Sequence, residues 1–304
     1  MRVTKIILIV FITLFAFGCK AEKEREIIDR SGIPVIIKGP INRIVSTAPS
    51  NTEIIADIGQ ADRLVAIDVH SANVSGIPAN LPLLDFFYPD AEAIINLSPD
   101  LIIASGHNPT GTGEDPFKLL REAGIAVVYI SMSKSVEEIY KDIEFVAGLL
   151  DAEKEGGQLI ASTRAQVKQI ADNISQKTAH YADRPAVYFE LSAPPYMMAF
   201  GKDSYIDDMI TIIGAKNIFG NEDWLVMPSA EAVIERNPDV ILSNVNYIDD
   251  PIGEIKGRAG FNHINAVINN RIYLIDNDSS SRTSARIILA LRQMSQAVYS
   301  ELYE

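Results

Sequence analysis

Apolar and polar positions in this chain follow two alternating rhythms. Short runs rich in β-branched residues occupy 43–47, 63–68, 101–105, 126–131, 186–191, 240–243 and 271–275. Several are almost wholly apolar, as expected of strands covered on both faces. Between them lie amphipathic stretches such as 135–150, where Ser135 and Glu138 have the spacing of a capping box. This alternation predicts an α/β fold with largely parallel sheets. One stretch breaks it. From 151 to about 177 the pattern is helical, without proline and without a strand-like run. At ~1.5 Å per residue such a helix reaches about 40 Å, the diameter of a small domain. The length predicts a rigid helix joining two lobes; a long surface helix of a single domain is the plainer alternative.

An internal repeat supports two lobes. Residues 89–103, PDAEAIINLSPDLII, align without gaps on 228–242, PSAEAVIERNPDVIL. Each copy reads as a short helix, a Pro-Asp turn and an apolar strand, and the copies flank the long helical stretch. Two similar units imply two similar lobes, and a cleft between lobes is a favoured ligand site. The expected fold class is therefore α/β: two three-layer lobes with mainly parallel sheets, joined by one long rigid helix. The expected layout is a signal peptide at 1–18 and a lipid-anchored tether and lead-in at 19–41. An amino-terminal lobe follows at 42–150, a connecting helix at 151–180 and a carboxy-terminal lobe at 181–304.

The amino terminus sets the compartment. A short basic start, with Arg2 and Lys5, precedes an apolar run at 6–17. That run is well short of the ~20 residues a membrane-spanning helix needs. Small residues Ala16 and Gly18 close it, and the chain turns polar after Cys19. This is the pattern of a secretory signal. Cys19 is the only cysteine, so no intramolecular disulfide or thiolate metal site can form. A lone cysteine at this junction resembles that of bacterial lipoproteins, in which it is lipidated and becomes the new terminus. An ordinary signal peptide with an incidental cysteine is the alternative. The expected location is outside the cytoplasm, anchored to the membrane through Cys19. The formal net charge is −13, and losing Arg2 and Lys5 makes the mature chain more acidic still. With no cluster of Lys and Arg, nucleic acid is excluded as a partner.

Four motifs carry a further resemblance: Ser46-Thr47-Ala48-Pro49-Ser50-Asn51-Thr52-Glu53, Asn96-Leu97-Ser98-Pro99-Asp100, Gly214-Ala215-Lys216-Asn217 and Asn237-Pro238-Asp239-Val240. In this order and spacing the chain resembles the periplasmic binding proteins for ferric siderophores, haem and cobalamin, from about Ile41 to its end. The resemblance implies two α/β lobes on one long helix and a monomer that hands a metal-chelate nutrient to an ABC importer. It implies no cofactor. It also implies that one exposed glutamate per lobe, Glu92 and Glu231, docks onto arginines of the permease dimer. These glutamates hold equivalent positions in the repeat. Charge pairing of this kind sets register and association rate. The plainer reading places each in a helix's first turn, where the dipole favours an acid. Glu53 has a local reading, since Ser50-x-x-Glu53 is spaced as a capping box.

In open α/β sheets, ligands sit at the carboxyl ends of strands. That rule places His70, Phe86, Phe87, Tyr88, Ser105, His107 and Asn108 around the cleft from the first lobe. It places Tyr196, Met197, Met198, Trp224, Asn246, Tyr247, Asp278 and Arg282 there from the second. The expected contacts are His70, Phe86, Tyr88, His107, Tyr196, Trp224, Asn246, Tyr247, Asp278 and Arg282. Aromatic walls with a few polar handles suit a large flat or rounded ligand, and Arg282 is the candidate partner for a ligand carboxylate or phosphate. Cobalamin binders of the family place contacting aromatics at the positions of His70 and Phe86, and an acid and an arginine spaced like Asp278 and Arg282. Phe87, Met197 and Met198 read equally as core filler.

Two other functions compete. Ser131-Met132-Ser133-Lys134 fits Ser-x-x-Lys, but the companion motifs of penicillin-interacting enzymes are absent, as are a phosphate loop and His-Glu-x-x-His. No catalytic residue is assigned. A binder of bare zinc or manganese would need converging histidines. Of His70, His107, His180 and His263, the last two fall in the linking helix's end and a polar loop, so no metal site is assigned either.

Overall fold

The computed structural model describes residues 24–85, 88–106, 115–178 and 184–302. Two α/β lobes lie on either side of one helix, Glu153–Thr178. The amino-terminal lobe holds a five-stranded sheet in the order Leu83–Leu84, Leu64–Asp68, Ile44–Ser46, Leu101–Ser105, Ala126–Ile130. Every pairing in it is parallel. The carboxy-terminal lobe holds a six-stranded sheet along Leu225–Val226, Met198–Phe200, Ala186–Ser192, Val240–Ser243 and Ile272–Leu274, with Lys216–Asn217 pairing beside Ala186–Ser192. Its first two pairings are antiparallel and the rest parallel, so this sheet is mixed. All seven expected strands are present, displaced at their ends by one residue at most.

The two copies of the repeat occupy equivalent places. Leu101–Ser105 and Val240–Ser243 each sit second from one edge of their sheet, beside Ile44–Ser46 and Ala186–Ser192, the first strand of each sheet in chain order. Each follows a short helix, Ala91–Asn96 or Ala230–Arg236, capped by the side chain of Asp90 or Ser229. Ser98 and Asn237 both adopt left-handed backbone, with φ of 45° and 42°. The aspartate of each Pro-Asp turn then grips the start of the neighbouring strand. Asp100 accepts from the Asn42 and Arg43 amides at 2.7 and 2.9 Å, and Asp239 from the Ala186 amide at 2.9 Å. The repeated sequence is thus a repeated device for joining strands.

Period-two alternation divides the core into three parts. Val45, Ile102 and Val127 face the outer helices of the first lobe, with Ile94 and Phe117. Tyr188 and Ile241 do the same in the second lobe, with Phe219 and Phe261. The opposite faces of both sheets feed one continuous core. Leu101, Ile103, Val187 and Leu242 join Ile143, Met209 and Leu291 there, along with Ile170 and Ile174 of the long helix. The long helix therefore packs on both lobes. It is pinned to the first by Arg164 to Glu137 at 2.9 Å. It is pinned to the second by Arg292 to Gln166 at 3.0 Å and by Lys177 to the Leu302 carbonyl at 2.9 Å.

Two local features differ from expectation. Within the stretch read as a tether, Glu24–Ile28 pairs antiparallel with Pro34–Lys38. Arg30, at the turn of this hairpin, reaches Asp142 at 2.5 Å and Glu138 at 3.3 Å, fastening it to the helix Val136–Leu149. The Ser50 capping box does not form: Pro49 opens the helix Pro49–Asp57, the cap falls on Ala48, and no side chain caps it. The Ser135 cap does form, accepting from the Glu138 amide at 3.2 Å. No helix among the described residues is long and apolar enough to cross a membrane.

Candidate functional site

A cleft of about 830 Å³ opens between the lobes, near the upper end of small-molecule sites (~300–1,000 Å³). Loops at the carboxyl ends of strands line it, as the fold predicts. From the first lobe come Thr47 to Asn51, then Val69, His70, Ala72 and Asn73, then Ser105, and then Ile130 to Ser133. From the second come Leu191, Phe200, Tyr205, Trp224 and Leu225, followed by Asn246 and the segment around Asp278 and Arg282.

Of the expected contacts, the cleft brings together His70, Trp224, Asn246, Asp278 and Arg282. Tyr88, Tyr196 and Tyr247 are exposed and do not line it. The Tyr247 hydroxyl accepts from the Ala193 amide at 2.9 Å, bracing a loop instead. Phe86 and His107 lie outside the described residues, as do Phe87, Asn108, His180 and Cys19.

His70 is placed by a buried polar chain. Asp68 ends its strand and accepts from the His70 amide at 2.9 Å and from the Ser71 hydroxyl. Ser71 meets Thr52 at 2.9 Å, and Thr52 meets Ser46 at 2.8 Å. The turn carrying His70 is thereby tied to the helix Pro49–Asp57 and the strand Ile44–Ser46. Burial pushes the Asp68 carboxyl above its usual range, against the lowering effect of these donors.

Trp224 is held in left-handed backbone, φ 35°. That conformation costs a residue with a β-carbon on the order of 1 kcal/mol. A ladder fixes it: the Trp224 amide donates to the Lys202 carbonyl at 2.9 Å, and the Gly201 amide donates back to the Trp224 carbonyl at 2.8 Å. A β-carbon on Gly201 would stand 2.4 Å from the Glu222 carbonyl oxygen, so only glycine permits this approach. Behind Trp224, Phe200 and Tyr205 pack with centroids 5.5 Å apart, and the Tyr205 hydroxyl donates to the Ser280 carbonyl at 2.9 Å.

Arg282 is buried, and both terminal nitrogens of its guanidinium are engaged. It donates to Glu53 at 2.9 Å, to Asn73 Oδ1 at 2.8 Å and to the His70 carbonyl at 3.2 Å. Asp278 stands 2.7 Å from it. Glu53 also accepts from Ser284 at 2.5 Å, and Arg286 pairs with Asp57 at 2.8 Å. Across the cleft mouth, Asn73 donates to Asp278 at 2.6 Å. Elsewhere at the lobe boundary, the Val136 amide donates to Asp208 at 2.8 Å. These contacts join the lobes through buried polar groups. Burial pushes the Glu53 carboxyl up, and the bonds from Ser284 and Arg282 pull it down by less.

Glu92 and Glu231 are exposed in the first turns of their helices. A helix that returns to start a parallel strand begins at the carboxyl end of the sheet, the end that opens on the cleft. Each carboxylate thus lies towards the strands' carboxyl end of its own sheet, one on each lobe. The Glu231 carboxyl lies below the usual glutamate range, held there by its own backbone amide and by the Ser229 hydroxyl. Among the described residues no three His, Cys, Asp or Glu side chains are grouped to hold a metal ion.

The walls at Thr47–Asn51 and Ser131–Ser133 follow the strand-like runs at 43–47 and 126–131, and the carboxyl-end rule extended to those runs marks them in the sequence. Phe200 and Tyr205 carry no such signal, because they approach through an antiparallel strand and the helix after it.

A profile of the periplasmic binding protein family matches residues 44–279. An ABC transporter substrate-binding lipoprotein of Bacillus subtilis, YvrC, is 29% identical over 290 residues, covering 94% of this chain and 90% of that protein. A vitamin B12-binding protein of Vibrio campbellii is 27% identical, over 84% of this chain and 89% of its own. Among solved structures, a possible iron-binding (periplasmic solute-binding) protein of Staphylococcus epidermidis superposes with a TM-score of 0.75 at 31% identity, covering 85% of this chain and 99% of that one.

Proposed function

The chain belongs to the periplasmic binding protein family and is a solute-binding component of an ABC transporter, and on that premise we propose that it captures a metal-chelate nutrient between its lobes and delivers it to the permease. The chelate is a ferric siderophore, haem or a corrinoid. The observation that carries this reading is the cleft itself. It is about 830 Å³ in volume, walled by both lobes and fronted by Trp224 and His70. Such a site buries most of a bulky ligand while a few polar groups orient it. The relatives that bind vitamin B12 or are described as iron-binding support the same class.

Delivery follows from the two acidic feet. Glu92 and Glu231, one per lobe, address the two halves of a permease dimer and set the register of docking. Lipidated Cys19 tethers the protein to the membrane, facing outward. The protein turns over no substrate; it binds and releases.

The test uses the purified mature protein in a thermal-shift and calorimetric screen of ferric siderophores, haem and corrinoids. A ligand that binds only the native state raises Tm. At least one of these chelates is expected to bind with submicromolar Kd. Binding of none of them, with tight binding of a bare ion or a sugar instead, would overturn the reading. Cys19→Ser is expected to release the protein from membranes without altering that affinity.

A further inference from the structure

We infer that the cleft selects chelates of neutral or positive net charge and rejects polyanionic ones. This deepens the reading above and rests on it. Among the described residues lining the cleft, Arg282 is the sole lysine or arginine. It does not offer its charge to a ligand. Glu53 holds one side of the guanidinium at 2.9 Å and Asp278 the other at 2.7 Å, while Asn73 and the His70 carbonyl accept from it as well. Arg286, 3.9 Å from Glu53 and 2.8 Å from Asp57, belongs to the same cluster, so Glu53, Asp57 and Asp278 face two guanidiniums and the group keeps a formal net negative charge.

The surroundings do not restore the balance. Lys202, whose carbonyl accepts from the Trp224 amide, has its ammonium paired with Asp223 at 3.0 Å. The segment 107–114, which follows the cleft-lining Ser105 in sequence, contains neither lysine nor arginine. Besides the rings of His70 and Trp224, the remaining polar lining is amide and hydroxyl: Asn51, Asn73, Asn246, Asn277 and several serines. Such groups hydrogen-bond a neutral periphery, such as the amides of a corrinoid or the hydroxamates of a siderophore. A tris-catecholate or a pair of propionates needs unpaired cations, because a buried anion without one loses its hydration uncompensated. The Asp278 carboxylate, half-buried at the cleft wall, adds repulsion to such an anion and attraction to a cation.

The experiment measures Kd for four probes at pH 8, above the usual titration range of histidine. Cyanocobalamin and ferrioxamine B represent neutral and cationic chelates. Ferric enterobactin and haemin represent anionic ones. The expected result is that one of the first pair binds at least ~100-fold more tightly than either of the second. Tighter or equal binding of an anionic probe would overturn the charge selection while leaving the chelate-binding function standing. Binding of none of the four would overturn both. A second measurement uses Asp278→Asn, which removes one carboxylate from Arg282. The ratio of anionic to neutral affinity is expected to rise about 10-fold. A loss of packing alone would weaken both probes together, so an unchanged ratio would overturn the role given to this pair.

Discussion

Glu53 and Arg282 meet at 2.9 Å across the lobe boundary, although 229 residues separate them in the chain. Both side chains are buried, and each holds its partner's charge away from water. Removing one member of such a pair leaves the other uncompensated, at a cost of about 3 kcal/mol. Arg282→Ala is expected to lose that much in urea denaturation at pH 7. A loss under 1 kcal/mol would mean that water reaches Glu53.

The same pair has a pH signature. Burial raises the folded-state pKa of Glu53 above its ordinary value. The folded chain therefore holds this proton more tightly than the unfolded chain does. The stability that Glu53 contributes is full below about pH 4.3, the ordinary glutamate value, and is lost as pH rises through the raised pKa. Wild-type stability measured relative to Glu53→Gln is expected to fall from pH 4 towards pH 7. Parallel curves for the two proteins would rule this out. Arg282→Ala should cost less at pH 4 than at pH 7, because a protonated Glu53 needs no cation.

Trp224 is expected to dominate ligand affinity from the second lobe. Truncating a central aromatic anchor costs ~2 kcal/mol, about 30-fold in Kd. Trp224→Ala should show that loss by calorimetry. Gly201→Ala should weaken binding in the same direction without touching the ligand, because its new methyl group drives the Glu222 carbonyl and the Trp224 loop away. Wild-type affinity in Gly201→Ala would mean that the loop yields without consequence.

Charge reversal at Glu92 and Glu231 together is expected to abolish transport in whole cells while the purified protein keeps its ligand Kd. Either reversal alone should leave partial transport, since the two feet are equivalent in the repeat. The lowered pKa of Glu231 keeps that foot ionised in mildly acidic medium. A fall in affinity with transport per bound ligand unchanged would assign these residues to the ligand instead.

The sequence made the architecture readable because its signals are local and repeated. The runs at 101–105 and 240–243 are the observed strands to the residue, and the helical stretch from 151 to 177 became Glu153–Thr178. The Pro-Asp repeat marked the pseudo-symmetry through the same local chemistry at Asp100 and Asp239. What stayed hidden depends on distant partners. Glu53 carried the spacing of a cap, yet Pro49 started the helix two residues earlier and freed the carboxylate for Arg282. Arg282 looked like a ligand handle because nothing in its neighbourhood of sequence announced Glu53. The short strands Met198–Phe200 and Leu225–Val226 have too few residues to show a period, and they exist only because they pair with each other and with a longer neighbour.

The core shared by the inner faces of both sheets and by Ile170 and Ile174 has one more consequence. Neither half owns a finished interior. Severing the chain within Glu153–Thr178 would give two fragments, each with a raw apolar face, and both are expected to aggregate rather than fold. The intact protein should accordingly melt in a single calorimetric endotherm, with van't Hoff and measured enthalpies in agreement, although its outline suggests two independent bodies.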